Sequence, residues 1–430
     1  MNPVGLLTAL CWFSAALHAL YLLGLPVRPA AAAALGIVAV VARLRKRLAR
    51  PEIAPTLPEP QASTDRLQAR AFAAVAFAAT AALSAVPFLE AASTAPNAND
   101  AVHIWMPKAA TAADGDRPSL VDDRTDGAHP EYPRGLATLA ATLLGPADAR
   151  DFRAVRLWTV VFACLTLLVA YRTVAEHAGA AYGLVALFAI GAPQEFARQS
   201  GSGYADVAVG AALLLATTGL VRDALGRIRP WTVLGGAAAA AAFKEEGLIV
   251  ALASLFLVLA PAFGRRAPGA FAATLAFVAC AGPWCAMRST APSRTLLLVP
   301  GFFENPGQLL LRFEATVFEL VRTAFGGADP SPGGPEFGSA PPGGDAVWAV
   351  LATAVLILAI RKGGPLDPRP AAVLLLASFT ALIVTPEPLD WHVATASPRL
   401  ALQALPALVA CASTAIFMPR RRPGPVSSAA

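Results

Sequence analysis

Residues 229–266 read RPWTVLGGAAAAAAFKEEGLIVALASLFLVLAPAFGRR, an apolar stretch with arginines at both ends and the charged triplet Lys244-Glu245-Glu246 in its middle. A single helix from Arg229 to Arg265 would be about 54 Å long at 1.5 Å per residue, whereas the hydrocarbon core of a bilayer is about 30 Å thick. Two short spans that meet at the triplet fit better, and they return both arginine groups to one side of a membrane. The sequence therefore predicts a broken pair of helices with the triplet at the opposite, outer face.

The composition of the whole chain also indicates that it lies in a lipid bilayer. Of 430 residues, 56% are hydrophobic and only 14% are charged, with a mean hydropathy of +0.57, which is too apolar for an average soluble protein. The formal net charge is +6, but the basic residues stand in short clusters beside apolar stretches, as juxtamembrane charges do. We therefore expect the lipid bilayer as a partner and do not expect nucleic acid.

Apolar stretches long enough for a membrane helix recur along the chain. A spanning helix needs about 20 mostly apolar residues, or somewhat fewer if its ends are covered by neighbours. This rule predicts an all-α protein, a polytopic transmembrane bundle of about 12 helices. The stretches centre near Phe13, Leu35, Ala79, Val161, Leu187, Leu213, Gly236, Leu255, Leu275, Val355, Leu376 and Val409.

The basic clusters predict which side each loop occupies. Cytoplasmic loops carry an excess of lysine and arginine, so basic clusters should recur at every second loop. They follow the second, sixth, eighth, tenth and last stretches, at residues 43–50, 222–229, 265–266, 361–362 and 420–422. This alternation predicts a cytoplasmic (inner) membrane protein with both termini in the cytoplasm.

The loops left on the outer side contain most of the unusual polar residues. They are residues 90–134, 194–206, the turn at Lys244, 288–345 and 385–399. In the fourth of them, apolar residues recur at helical spacing after Pro306 while Arg312, Glu319 and Arg322 face away. This pattern predicts an amphipathic helix that lies in the membrane surface.

Two aspartates in the outer loops are candidate catalytic residues. Asp100 comes soon after a helix end, where partial burial would raise its basicity, but it would equally suit the cap of a helix over residues 103–113. Asp206 opens an apolar helix, whose positive dipole end would favour its charge without any further function. Ser202 does not fit a nucleophile motif, because Ser200 and Tyr204 occupy the positions that would require glycine.

Two basic residues on the same side are candidate anion ligands. Lys244, Glu245 and Glu246 stand between apolar arms, where ionisable groups are costly unless they are paired or functional. Mutual Lys–Glu pairing is one explanation, and contact of Lys244 with a lipid phosphate is the other. Arg399 at an outer helix end runs against the positive-inside trend, so an anionic partner is expected.

A metal site has weaker support. Asp100, His103, His129 and Glu131 share the first outer loop, but no pair of them has the helical spacing of a known metal motif. If an ion takes part, oxygen ligands favour Mg²⁺ or Mn²⁺ over Zn²⁺.

Taken together, these loops resemble bacterial GT-C membrane glycosyltransferases, in the group of the protein O-mannosyltransferases, the lipid A aminoarabinose transferase and the core galacturonosyltransferases. The resemblance covers residues 72–417. It rests on the order of short motifs: Asp100 with His103-Ile-Trp-Met-Pro-Lys-Ala, His129-Pro-Glu-Tyr-Pro, Gly203-Tyr-Ala-Asp206, Lys244-Glu-Glu-Gly247, and Ser397-Pro-Arg-Leu with Gln403 and Pro406.

The resemblance implies an inverting transfer of a sugar from a polyprenyl-phosphate donor to an envelope glycan, lipid or protein acceptor at the outer membrane face. Asp100 would be the general base, Asp206 would orient the acceptor or an ion, and Lys244 and Arg399 would hold the donor phosphate. The implied substrate-binding residues are His103, Trp105, Lys108, His129, Glu131, Tyr132, Tyr204 and Glu246.

The chain departs from the family pattern at two points. Ala101 follows Asp100 where relatives often have a second acid, and Glu245 stands where they tend to have asparagine. Residues 71–418 would form the GT-C-like domain, residues 1–70 two additional N-terminal helices with a basic cytoplasmic loop, and residues 419–430 a basic tail. A secondary transporter and a non-catalytic lipid-carrier assembly protein are the alternatives.

Overall fold

The computed structural model describes residues 2–48, 62–93, 101–115, 132–144, 151, 153–221, 228–263, 267–289, 311, 314, 365–384 and 389–417. All regular secondary structure in these residues is helical, which confirms the all-α class. A π-helical turn, Ala101–Trp105, precedes α4. The helices are α1 Pro3–Leu22, α2 Val27–Leu48, α3 Ala62–Ser93, α4 Met106–Ala113, α5 Gly135–Ala141, α6 Arg153–Ala178, α7 Ala180–Gly191, α8 Gln194–Ser202, α9 Asp206–Gly219, α10 Pro230–Phe243, α11 Glu245–Phe263, α12 Pro268–Ser289, α13 Arg369–Val384 and α14 Leu389–Phe417.

Several helices have the length and composition of membrane spans. Six described helices are long and apolar enough to cross a bilayer, or seven if α7 and α8, which meet at 68°, count as one broken span. Leu275 of α12 and Leu376 of α13 are 72% and 67% exposed, as expected for side chains that face lipid. The chain is thus a multi-pass membrane protein. Eleven of the twelve predicted centres fall in described helices, and Val355 lies outside the described residues, so a bundle of 12 spans stays a prediction.

The two central helices, α9 and α10, are short but almost completely covered. Every residue of α9 is buried, and so is every residue of α10 after Pro230. They approach closely because Gly236 has no side chain: a Cβ there would lie 2.4 Å from the Ala212 carbonyl oxygen. Helices α1, α6, α11 and α14 pack around this pair. Each central helix is only about 21 Å long, which is tolerable because protein rather than lipid covers its ends.

The predicted break at the charged triplet is present. Helix α10 ends at Phe243, Lys244 is extended with φ −156° and ψ 155°, and α11 begins at Glu245. The two helices pack on each other after the break, and Gly247 makes this approach possible because a Cβ there would lie 2.0 Å from the Ala240 carbonyl oxygen. Lys244 is thereby held at the junction.

The first helix belongs to the same bundle as the rest. Helix α1 packs on α10, α12 and α5, and Trp12 at its centre is 1% exposed. Helix α3 runs through the predicted domain boundary at residues 70–71 without a break. The division at this boundary therefore does not coincide with the end of a helix.

In two segments that the sequence analysis assigned to the outer face, the secondary structure differs from the prediction. Residues 194–202 form α8 rather than an irregular loop, and Pro193 immediately precedes this helix, where its fixed φ suits a turn into a helix. Arg399 does not begin the last helix, because α14 starts ten residues earlier at Leu389. The predicted surface helix after Pro306 lies outside the described residues apart from Leu311 and Glu314, which are both helical and exposed.

Candidate functional site

A buried carboxylate, Asp206, lies at the centre of a network of polar side chains. It opens α9 and is fully buried. Lys244 Nζ lies 2.9 Å from its Oδ1, Gln403 Nε2 donates to the same oxygen at 2.6 Å, and Arg399 Nε donates to Oδ2 at 3.1 Å. Three segments distant in sequence therefore converge on one carboxylate, and each of its oxygens accepts a charge-assisted hydrogen bond.

Lys244 is held at the break between α10 and α11, with its side chain only 6% exposed. Besides Asp206, it contacts Glu246 Oε1 at 3.4 Å. Burial on its own would lower the pKa of Lys244, but attraction to Asp206 and then to Glu246 outweighs burial and raises the pKa above its ordinary value. The amine is therefore charged at neutral pH. Its main partner is Asp206 rather than the adjacent glutamate.

Arg399 covers the open side of this network. Its guanidinium carbon lies 4.3 Å from the centre of the Tyr204 ring, within the range of a cation–π contact. The side chain of Arg399 is 20% exposed, whereas that of Asp206 is not exposed at all. Tyr204 is itself buried and stands two residues before Asp206, in the turn between α8 and α9. A ligand that approaches from outside would therefore meet Arg399 before Asp206.

A second buried cation, Lys108, lies in an aromatic enclosure. Its Nζ donates to the Tyr132 carbonyl oxygen at 3.1 Å and lies 5.7 Å and 5.6 Å from the ring centres of Trp105 and Tyr132. The two rings are tilted, with their centres 6.3 Å apart. Lys108 is completely buried although lysine is rarely so. These three predicted binding residues of the first outer loop therefore form one local cluster.

Arg134 is a buried basic residue that the sequence analysis did not single out. It is fully buried immediately before α5, and its backbone N–H donates to His18 Nε2 of α1 at 3.2 Å. A signal for it was present: like Arg399, it is an arginine beside an apolar helix on the predicted outer side, against the positive-inside trend. Arg134 is therefore, like Arg399, a residue for which an anionic partner is expected.

Gln403 is a second residue whose role is visible only in the structure. The sequence analysis included it in a motif without a role, yet it is completely buried one helical turn after Arg399 and donates to Asp206. Residues four positions apart on a helix lie on the same face, and this explains why both side chains of α14 reach one carboxylate.

The two basic clusters are neighbours, and Tyr132 links them. Tyr132 encloses Lys108 and also acts electrostatically on Lys244, whose pKa it helps to raise. The start of α5 packs on the end of α10, where a Cβ at Gly135 would lie 2.4 Å from the Ala242 carbonyl oxygen. Loop 132–134 is thereby held beside the junction that carries Lys244.

The remaining predicted site residues are in different positions. His103 is exposed in the π-helical turn before α4, and Glu246 is partly exposed on the first turn of α11. Asp100, His129 and Glu131 lie outside the described residues. Within the part of the chain that the structure describes, no three His, Cys, Asp or Glu side chains cluster as a metal site would require. A role for Mg²⁺ or Mn²⁺ therefore stays a prediction.

The arrangement suits the binding of an anion that also carries hydrogen-bonding groups. Lys244 and Arg399 contact Asp206, Lys244 also contacts Glu246, and Lys108 and Arg134 are further buried cations in the neighbouring segments. Three buried polar atoms around the network have no hydrogen-bond partner among the described residues, namely Trp105 Nε1, Glu246 Oε2 and Gln403 Oε1. Such groups are costly to bury alone, and a polar ligand would satisfy them.

Comparison with known proteins adds no family assignment. The chain matches no protein-family model, no curated protein and no solved structure.

Proposed function

We propose that this chain is an inverting membrane glycosyltransferase that moves a sugar from a polyprenyl-phosphate donor to an acceptor in the cell envelope. The reaction takes place at the outer face of the cytoplasmic membrane, with both termini of the chain in the cytoplasm. The observation that carries the proposal is the convergence of Lys244 and Arg399 on buried Asp206. Cations fixed in this way among apolar helices suit the phosphate of a lipid-linked donor.

The two cations stabilise the leaving group in this mechanism. Asp100 takes the proton of an acceptor hydroxyl, and the resulting oxygen attacks the anomeric carbon of the sugar. As the new glycosidic bond forms, the bond from that carbon to the phosphate oxygen breaks, and the polyprenyl phosphate gains one negative charge. Lys244 and Arg399 offset that charge where it grows, and their fixed positions avoid a reorganisation cost during the reaction.

Asp206 has the role of a positioning residue in this scheme. Each of its oxygens already accepts hydrogen bonds from buried groups, with Lys244 and Gln403 on one and Arg399 on the other. A carboxylate stabilised in this way is a weak base, so Asp206 is better suited to fix the two cations than to accept a proton. Orientation of the acceptor falls to other groups of the site.

The sugar would occupy the space between the two basic clusters. Glu246 Oε2 can accept a hydrogen bond from a sugar hydroxyl, and Trp105 Nε1 can donate one. The partly exposed Tyr132 ring offers an apolar face against which a sugar ring can pack. His103, His129, Glu131 and Lys108 stay predicted contributors to substrate binding from the same loop.

The test is a transfer assay with purified protein in liposomes, a radiolabelled polyprenyl-phosphate sugar and candidate envelope acceptors. We expect Asp100→Asn to abolish transfer while leaving donor binding intact. We expect Lys244→Gln to lower the rate by roughly 10²–10³-fold, the range for loss of one fixed donor to a developing charge. Arg172→Gln is the matched control, because Arg172 is exposed and pairs with Glu176 in the same helix.

The controls separate a chemical defect from a folding defect. Each variant is compared with the native protein by size-exclusion chromatography and by thermal unfolding in the same detergent. Undiminished transfer by folded Asp100→Asn would refute the assigned base. Undiminished transfer by folded Lys244→Gln would refute the phosphate site.

A secondary transporter is the second candidate, and the same network favours it. Ionisable residues buried among membrane helices often mark an ion or substrate pathway. The helical structure is also interrupted at Lys244, as membrane helices are in many transporters. Solute uptake into proteoliposomes without turnover of any lipid-linked sugar would support this function. Binding of the donor lipid with neither transfer nor uptake would support a non-catalytic assembly protein.

A further inference from the structure

A groove of about 390 Å³ lies between α1, α2 and the start of α10, away from the candidate site. Ligand pockets commonly have volumes of about 300–1,000 Å³. Most of the side chains that line it are apolar, and two are basic. Its main lining residues are Trp12, Val38, Val41, Trp231, Arg45 and Lys46.

The groove and the candidate site lie at opposite ends of the same helix. Trp231 stands in the first turn of α10 and Lys244 directly follows its last residue, so about 20 Å of helix separates them at 1.5 Å per residue. The groove is therefore on the side that the basic clusters assign to the cytoplasm. Trp12 fixes this end of the bundle, because its Nε1 donates to the Trp231 carbonyl oxygen at 2.9 Å.

One wall of the groove is a helix that faces lipid. Most of α2 is not covered by other described helices, and its Leu35, Val40 and Leu44 are 61%, 53% and 38% exposed. The last turn of α2 carries Arg45, Lys46 and Arg47. A lipid beside α2 would therefore find an apolar surface next to its acyl chain and positive charge at the level of its headgroup.

We propose that this groove binds one anionic phospholipid from the cytoplasmic leaflet. An acyl chain packs on Trp12, Val38 and Val41, and the phosphate contacts Arg45 and Lys46. Basic pockets between membrane helices on the cytoplasmic side are suited to anionic headgroups, and here the charge and the apolar groove come together. The bound lipid stabilises the contact of α2 with α1, which gives the first two helices a function.

The charge part of the proposal is tested by lipid binding to the purified full-length protein, measured by native mass spectrometry and by lipid titration. We expect phosphatidylglycerol to bind more tightly than phosphatidylcholine with the same acyl chains. Each basic residue near an anionic lipid contributes roughly fivefold to affinity, so the double variant Arg45→Gln/Lys46→Gln should bind phosphatidylglycerol about 30-fold more weakly.

A matched double variant separates a site from general attraction. Arg43→Gln/Arg47→Gln removes the same charge from the same end of α2, but neither residue lines the groove. We expect it to weaken binding by less than about fivefold, the contribution of a single basic residue. Equal losses for the two double variants would overturn the proposal, and so would equal affinity of the native protein for the two lipids.

Filling the groove tests its apolar part. A Cβ at Gly5 would meet only Asn2, at 3.9 Å, so Gly5→Leu can extend into the groove without a clash at its Cβ. We expect this variant to lose most phosphatidylglycerol binding while its transfer of the lipid-linked sugar, if present in the native protein, is retained. Unchanged lipid binding by Gly5→Leu would overturn the groove as the site of the acyl chain.

Discussion

Removal of the buried charge of Asp206 should cost much of the stability of the bundle. The variant Asp206→Asn keeps the size of the side chain and an oxygen that can accept a hydrogen bond, but it removes the negative charge between Lys244 and Arg399. The side chains of Asp206 and Lys244 are 0% and 6% exposed, so water cannot replace the lost partner. Loss of one partner of a buried ion pair costs roughly 3–5 kcal/mol, and we expect a value in this range.

A matched control on the surface isolates the effect of burial. Asp151 also forms an ion pair and hydrogen bonds with an arginine, Arg153, but their side chains are 51% and 45% exposed. We expect Asp151→Asn to leave the free energy of unfolding unchanged within error, because solvent screens such a pair. The two variants make the same chemical change and differ in how far the carboxylate is buried.

The measurement is reversible unfolding in mixed micelles, with denaturing detergent as the variable and tryptophan fluorescence as the signal. A third variant, Asp206→Asn/Lys244→Met, removes the amine together with the charge. We expect it to be more stable than Asp206→Asn, because one uncompensated buried cation has been removed. A loss below about 1 kcal/mol for Asp206→Asn, the range of exposed pairs, would refute the view that this network is desolvated.

Two further variants test the packing around the same junction. Gly247→Ala should destabilise the protein by about 1–3 kcal/mol, because the added Cβ would lie 2.0 Å from the Ala240 carbonyl oxygen. Gly36→Ala is the control: a Cβ at Gly36 meets nothing within 4 Å, so this variant should not be destabilised in the same assay. Tyr204→Leu should weaken the protein by about 1 kcal/mol through loss of the ring under Arg399, whereas Tyr204→Phe keeps a ring there and should lose less. Equal stability of the two glycine variants, or of the two tyrosine variants, would contradict the corresponding contact.

The sequence was sufficient for the long apolar helices because their signal is local. Hydrophobic length and basic clusters along the chain predicted the all-α class, the helix at each described centre and the break at Lys244. The ends of helices were less certain: α14 begins at Leu389 rather than at Arg399, and α8 occupies a segment that looked like a loop. A helix end depends on turn geometry and on neighbours as well as on local apolarity, so it is harder to read from one sequence.

The sequence by itself determined that Lys244 and Arg399 needed partners, because isolated charges beside apolar helices are too costly to leave unpaired. Only the tertiary structure decided that Asp206 is the partner of both, that Gln403 donates to the same carboxylate, and that Arg134 and Lys108 lie buried nearby. The reason is that Lys244 and Arg399 are 38 and 193 residues from Asp206 along the chain. Local patterns cannot specify such pairings, which arise when α9, α10 and α14 pack together.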